Sequence, residues 1–204
     1  MRLLIGMLAV MLSTTAMAEG FLDQAEVEKL TPHPDVAGVL RHITPGKDPS
    51  AYEKLIVGSV SFYFAENSKV KSIEADEMKT ISDAMKSAMV SAAAEKREVV
   101  LSKGQGAALV NLAITEINLQ TKKRGLLGYT PVGLVVSTAG NLAGLRMQLK
   151  DARIEGEVVD SVSGEVISVF RLNEIANLDG KKKMSWDDLV GSFQMSLAKA
   201  LSAW

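Results

Sequence analysis

The 204-residue chain carries 23 Lys and Arg, 24 Asp and Glu and two His, for a formal net charge of −1, and it has no cysteine. A near-neutral balance offers no basic face for nucleic acid. The missing thiols exclude thiolate catalysis, cysteine zinc sites and disulfides, so packing must supply the stability.

The chain opens with one basic residue, Arg2, followed by an uncharged apolar run from Leu3 to Leu12 and the small-residue site Ala16-Met17-Ala18. These are the three regions of a cleavable secretory signal, with cleavage expected after Ala18 and a periplasmic destination. The apolar run is shorter than the ~20 residues that span a bilayer. A lipoprotein signal would place a Cys at the cleavage site, and there is none. Cleavage removes Arg2 and leaves a mature charge of −2. Residues 1–18 are therefore expected as signal peptide, 19–50 as an irregular N-terminal arm broken by Pro32, Pro34, Pro45 and Pro49, and 51–204 as one domain.

In the domain, Ile56, Val60, Phe62 and Phe64 recur at period two and predict a strand, with Leu55 and Val57 on its other face. Met78, Ile81, Met85, Ala88, Met89 and Ala92 form one apolar stripe and predict a helix over 74–96. Its methionines read as ordinary core. Glu98 to Leu101 is a short strand, and Gly104-Gln105-Gly106 a turn. The next strand carries Val110, Leu112 and Ile114 on one face, then slips phase at Thr115-Glu116, as a β-bulge would make it. A second slip falls near Lys150-Asp151. The turn Asp160 to Gly164 leads into a hairpin partner over 166–172. Ser185 and Asp188 predict a capping box before the last helix, whose stripe runs from Trp186 through Phe193 to Trp204. The fold class expected is α+β: a layered, antiparallel-rich sheet of about five strands packed by two helices.

Catalytic and cofactor signatures are absent. His33 and His42 lie in the proline-rich arm at no ligand spacing and read as solvated loop residues. There is no Gly-x-Ser-x-Gly elbow and no phosphate-cradling loop. No cofactor or metal is expected, and no enzyme activity. Residues 125–145 stand out because they carry no charge while following Lys122-Lys123-Arg124. Pro131 and five glycines argue against a transmembrane helix there. The segment is either a buried sheet connection or an exposed contact surface, and the candidate interaction residues are Leu126, Leu127, Tyr129, Val132, Leu134, Val135 and Val136.

Three stretches carry a family resemblance: Gly20-Phe21-Leu22-Asp23, Leu112-Ala113-Ile114-Thr115-Glu116-Ile117, and Ile154-Glu155-Gly156-Glu157-Val158-Val159-Asp160-Ser161 with Gly164-Glu165-Val166. With the closing Trp186 helix, the chain resembles DUF3313, a family of bacterial exported proteins and lipoproteins of unknown function. That resemblance supplies no catalytic residue. The leading functional expectation is a periplasmic, non-enzymatic domain of the cell envelope that contacts an envelope protein or a second copy of itself. A binding module for a small apolar or lipid ligand, seated between sheet and methionine-bearing helix, is the alternative. An enzyme working through Asp and Glu comes third.

Overall fold

The computed structural model describes residues 20–94, 96–121, 147–172 and 185–202. In chain order these form α1 (Gln24–Val27), β1 (Thr31–Pro32), β2 (Val39–Ile43), a 3-10 turn (Pro49–Ala51), β3 (Lys54–Phe64), α2 (Ala75–Ala93), β4 (Glu98–Val99), β5 (Ala107–Thr121), β6 (Met147–Asp160), β7 (Val166–Leu172) and α3 (Trp186–Ser202). The strands make one sheet in the order β1-β2-β7-β6-β5-β3-β4. β3 runs parallel to β5 and β4, and every other pairing is antiparallel. A parallel pair needs a crossover, and α2 supplies it between β3 and β5.

Both long helices pack on the same face of the sheet and on each other. Ile81, Met85, Ala88, Met89 and Ala92 of α2 are buried there, as the helical spacing requires. Trp186, Leu189, Phe193, Leu197 and Leu201 of α3 join them. The sheet contributes Val110, Leu112, Ile114, Ile154 and Val158. The capping box of α3 forms as the sequence implies: Ser185 N–H donates to Asp188 Oδ2 at 2.9 Å, and Asp188 N–H donates to Ser185 Oγ at 3.1 Å. The β6–β7 turn is closed by Asp160, whose Oδ1 accepts from the N–H groups of Val162 and Ser163 at 2.8 Å each. Among the described residues, no helix is long and apolar enough to cross a membrane.

The structure corrects the expected sheet and arm. Among the described residues the sheet has seven strands where about five were expected, and it is mixed. The difference lies in the segment expected to be irregular, which supplies α1, β1 and β2. β2 contains no proline and pairs along its whole length with β7. Pro32 falls on the edge strand β1, where a missing N–H is tolerated, and Pro45 and Pro49 lie beyond β2. In β3 the apolar phase also differs. Leu55 and Val57 share the helix-facing side with Val60, Phe62 and Phe64, because the pairing with β5 shifts between Val57 and Val60. Gly58 permits that shift: a Cβ there would lie 2.3 Å from Asn111 Oδ1 and 2.7 Å from the Val110 carbonyl oxygen.

Candidate functional site

The opposite face of the sheet carries none of the described long helices. Strand alternation turns Thr115 of β5, Arg153 and Glu155 of β6 and Arg171 of β7 onto it, since Ile114 and Ile154 point into the core. The N-terminal segment crosses this face. Leu22 is buried on it, and the Phe21 ring meets the Tyr63 ring at a centroid separation of 6.4 Å. Asp23 then caps α1, accepting from Glu26 N–H at 2.7 Å. Between this segment, the end of β3 and the strand face lies a cleft of about 760 Å³, bounded by Gly20, Leu22, Tyr63, Thr115, Glu116, Arg153, Glu155 and Arg171 among others.

At the inner end of the cleft, Glu155 is 3 % exposed. The β6–β7 register sets it directly opposite Arg171. Arg171 holds its Oε1 from Nη2 at 2.7 Å and from Nε at 2.9 Å. The other carboxylate oxygen accepts the Leu22 N–H at 3.2 Å. Each charge thus has a partner, which a buried carboxylate requires. The same contact ties the N-terminal segment to the sheet.

The cleft floor is shaped by a bulge in β5. Thr115 pairs with Arg153 and Asn118 with Asp151, so β5 spends one residue more than its partner over this step. The extra residue is accommodated at Glu116, the one non-glycine among the described residues with positive φ, at 53°. A bulge re-aims its neighbours, and a side chain held in this region is strained by about 1–3 kcal/mol. Glu116 Oε1 lies 4.0 Å from Arg153 Nη1 at the cleft mouth. The Thr115 hydroxyl is buried and has no hydrogen-bond partner.

Among the described residues, a small apolar pocket lies between sheet and helices, where the apolar ligand was expected. It is lined by Met89, Phe193, Leu197 and Leu201 with Val39 and Phe170 and holds about 40 Å³. That admits a few waters and falls far below the ~300–1,000 Å³ of a ligand site. His33 borders this pocket and is buried, not solvated. Its Nδ1 accepts Asp35 N–H at 3.1 Å, while Nε2 is buried without a partner. Burial, reinforced by the Arg41 charge and opposed by Asp35, pushes its pKa below the ordinary histidine value. His42 lies on β2. At the far end of the sheet, Tyr52 donates to Asp160 at 3.0 Å and Lys47 pairs with Glu165 at 2.6 Å. The N–H groups of Ser163 and Val162, with the Tyr52 hydroxyl, hold the Asp160 carboxyl below the usual range. These contacts fasten a turn.

Leu126, Leu127, Tyr129, Val132, Leu134, Val135 and Val136 lie outside the described residues, as does Trp204. The cleft was not anticipated. Its one signal was the phase slip at Thr115-Glu116; Glu155 alternates with Arg153 and Glu157 on the polar face of β6 and does not stand out.

The chain is 27 % identical over 165 residues to the uncharacterized lipoprotein YdcL of Escherichia coli (strain K12), a match covering 79 % of this chain and 73 % of that one. Among solved structures it is similar to the PelC dodecamer from Paraburkholderia phytofirmans, with 13 % identity, a TM-score of 0.36, and coverage of 80 % of this chain and 96 % of that one. It is also similar to a putative neuraminyllactose-binding hemagglutinin homolog from Helicobacter pylori, with 9 % identity, a TM-score of 0.35, and coverage of 79 % and 86 %. The family model described as protein of unknown function (DUF3313) matches residues 18–194, and the chain belongs to that family.

Proposed function

We propose that this protein is an exported, non-enzymatic interaction module of the bacterial cell envelope that engages its partner with the helix-free face of its sheet, centred on the cleft. The observation that carries this reading is the cleft itself, where a strained bulge, an unsatisfied hydroxyl and a buried ion pair converge. Strain and unsatisfied groups persist where a fold serves something besides its own stability. The paired state of Glu155 favours binding over acid–base work, because both its oxygens already accept hydrogen bonds. The signal-like first eighteen residues and the lipoprotein relative support export. The uncharged segment 125–145 is a second proposed contact surface. β5 ends at Thr121 and β6 begins at Met147, so the chain leaves for this segment from the same end of the sheet as the cleft.

The absence of cysteine makes a direct test possible. Single variants Arg153→Cys and Glu66→Cys place a thiol at the cleft, and Lys79→Cys places one on the exposed side of α2. Maleimide labelling is compared between living cells and purified protein. The cleft thiols are expected to label more slowly in cells, while the α2 thiol labels equally in both. Equal labelling at all three positions would overturn the reading.

A further inference from the structure

We propose that the open edge of β3 pairs with β3 of a second copy of this chain, the two strands running antiparallel about a two-fold axis at Ser61; this is independent of the cleft. β3 is 11 residues long, and β4 covers only Lys54 and Leu55. The last bond on that side is from Val100 N–H to the Leu55 carbonyl oxygen, at 2.9 Å. Beyond it, no strand neighbours this edge among the described residues. Ser59 N–H turns to Asn111 of β5, and Ala65 N–H to the Ile117 carbonyl oxygen. Alternation then directs the N–H and C=O groups of Val60, Phe62 and Phe64 the other way, toward the open edge.

Edge strands are ordinarily blunted by charge, proline or brevity, since a bare strand recruits another. The opposite edge of the sheet follows that rule: β1 is Thr31–Pro32 alone. The β3 edge breaks it. From Leu55 to Ala65 there is neither a charge nor a proline. Its apolar cover is also incomplete, because Val60, Phe62 and Phe64 pack against the helix-side core and are only part-buried. A further strand would continue the sheet over them.

The charge pattern selects a second copy as that strand. A strand paired with itself sets each residue against another of the same short run, where like charges would repel. This run has none. Its flanks have opposite signs, exposed Lys54 before it and exposed Glu66 after it. Parallel self-pairing would bring like flanks together. Antiparallel pairing brings the Lys54 end of one copy to the Glu66 end of the other. Centring on Ser61 matches the run from Gly58 to Phe64 with itself and sets Val60 of each copy opposite Phe62 of the other. One open edge per molecule closes the assembly at two. The helix-free faces, with their clefts, then lie on the same side of one continuous sheet.

Light scattering after size exclusion of the purified mature protein is expected to give twice the protomer mass. Ser61→Lys sets two like charges opposite each other and should run as a monomer, as should Ser61→Glu. Mixed in equal amounts, the two variants should restore the dimer, which separates lost pairing from lost folding. The chain has no cysteine, so Ser61→Cys can be cross-linked selectively. Residues opposed without hydrogen bonds lie about 4.5 Å apart at Cα, within disulfide reach. Ser61→Cys should therefore join to its own copy under mild oxidation, while Lys79→Cys on the exposed side of α2 does not. A monomeric parent would overturn the proposal. Slow amide exchange at Val60, Phe62 and Phe64 in that monomer would assign the edge to another stretch of this chain, and fast exchange would leave it to a different protein. A dimer that survives Ser61→Lys, a mixture that stays monomeric, or a Ser61→Cys dimer that does not cross-link would overturn it equally.

Discussion

His33 shows how one side chain ties stability to pH. It is buried beside Arg41, and its pKa is depressed by burial first and by that charge second. A native state that disfavours the proton binds fewer protons than the unfolded chain, so stability rises with pH through this window. It is complete above the unfolded histidine value of 6.5 and is lost progressively as pH falls below it. Asp48, Asp160 and Glu165 also have depressed values, but their ordinary values are 3.8, 3.8 and 4.5, so their losses begin at lower pH. Thermal melts between about pH 7.5 and 5 should therefore show a falling Tm in the parent and a flatter profile in His33→Gln. An unchanged slope in the variant would assign the dependence to another group. On β6, Gly156 carries a different constraint. A Cβ there would lie 2.2 Å from the Phe170 ring, which crosses it from β7. A glycine in a strand is explained here by a ring that needs its space.

At the scale of elements, α3 supplies large apolar side chains to the helix-side core. Trp186, Leu189, Phe193 and Leu201 are nearly or wholly buried. Each such side chain is worth roughly 1.5–3 kcal/mol, and domains are stable by about 5–15 kcal/mol, so losing the group removes most or all of the margin. Deletion of residues 186–204 is expected to abolish cooperative thermal unfolding, measured by circular dichroism. A truncated chain melting near the parent temperature would show that α3 is peripheral. This helix was legible in the sequence because its stripe and capping box are local. So were the slips at Thr115-Glu116 and Lys150-Asp151, since each interrupts a clean period-two pattern, and the pairing of β5 with β6 is irregular at both. The shift at Gly58 was not legible, because Leu55, Ile56 and Val57 are all apolar and no phase can be read through them. Nor was the Glu155–Arg171 pair. The β6–β7 register shifts between Val158 and Val159, so a plain count from the turn sets Glu155 against Phe170. β2 was hidden by flanking prolines, and its partner strand lies more than a hundred residues away.

For the whole molecule, the helices stabilise one face and leave the other to the N-terminal segment and the cleft. The signal-like start bears on this arrangement, because Gly20 already sits at the cleft, with a virtual Cβ 3.7 Å from Glu155 Oε2. Processing after Ala18 is expected to place the new terminus one residue before it. N-terminal sequencing of the protein from the periplasmic fraction should read Glu19-Gly20-Phe21. A chain still beginning at Met1 would exclude the cleavage. The fastening of that segment also has a consequence for order in time. Leu22 is held by Glu155, and β2 by β7, contacts that join the first part of the chain to its last third. A chain emerging from a ribosome or a pore with its amino end first has no seat for residues 20–43 until residue 172 is out. The first segment to appear is then among the last to dock, and closing so long a loop adds an entropic barrier that slows folding. Early compaction at the leading end is thereby avoided, which keeps the polypeptide threadable for most of its passage.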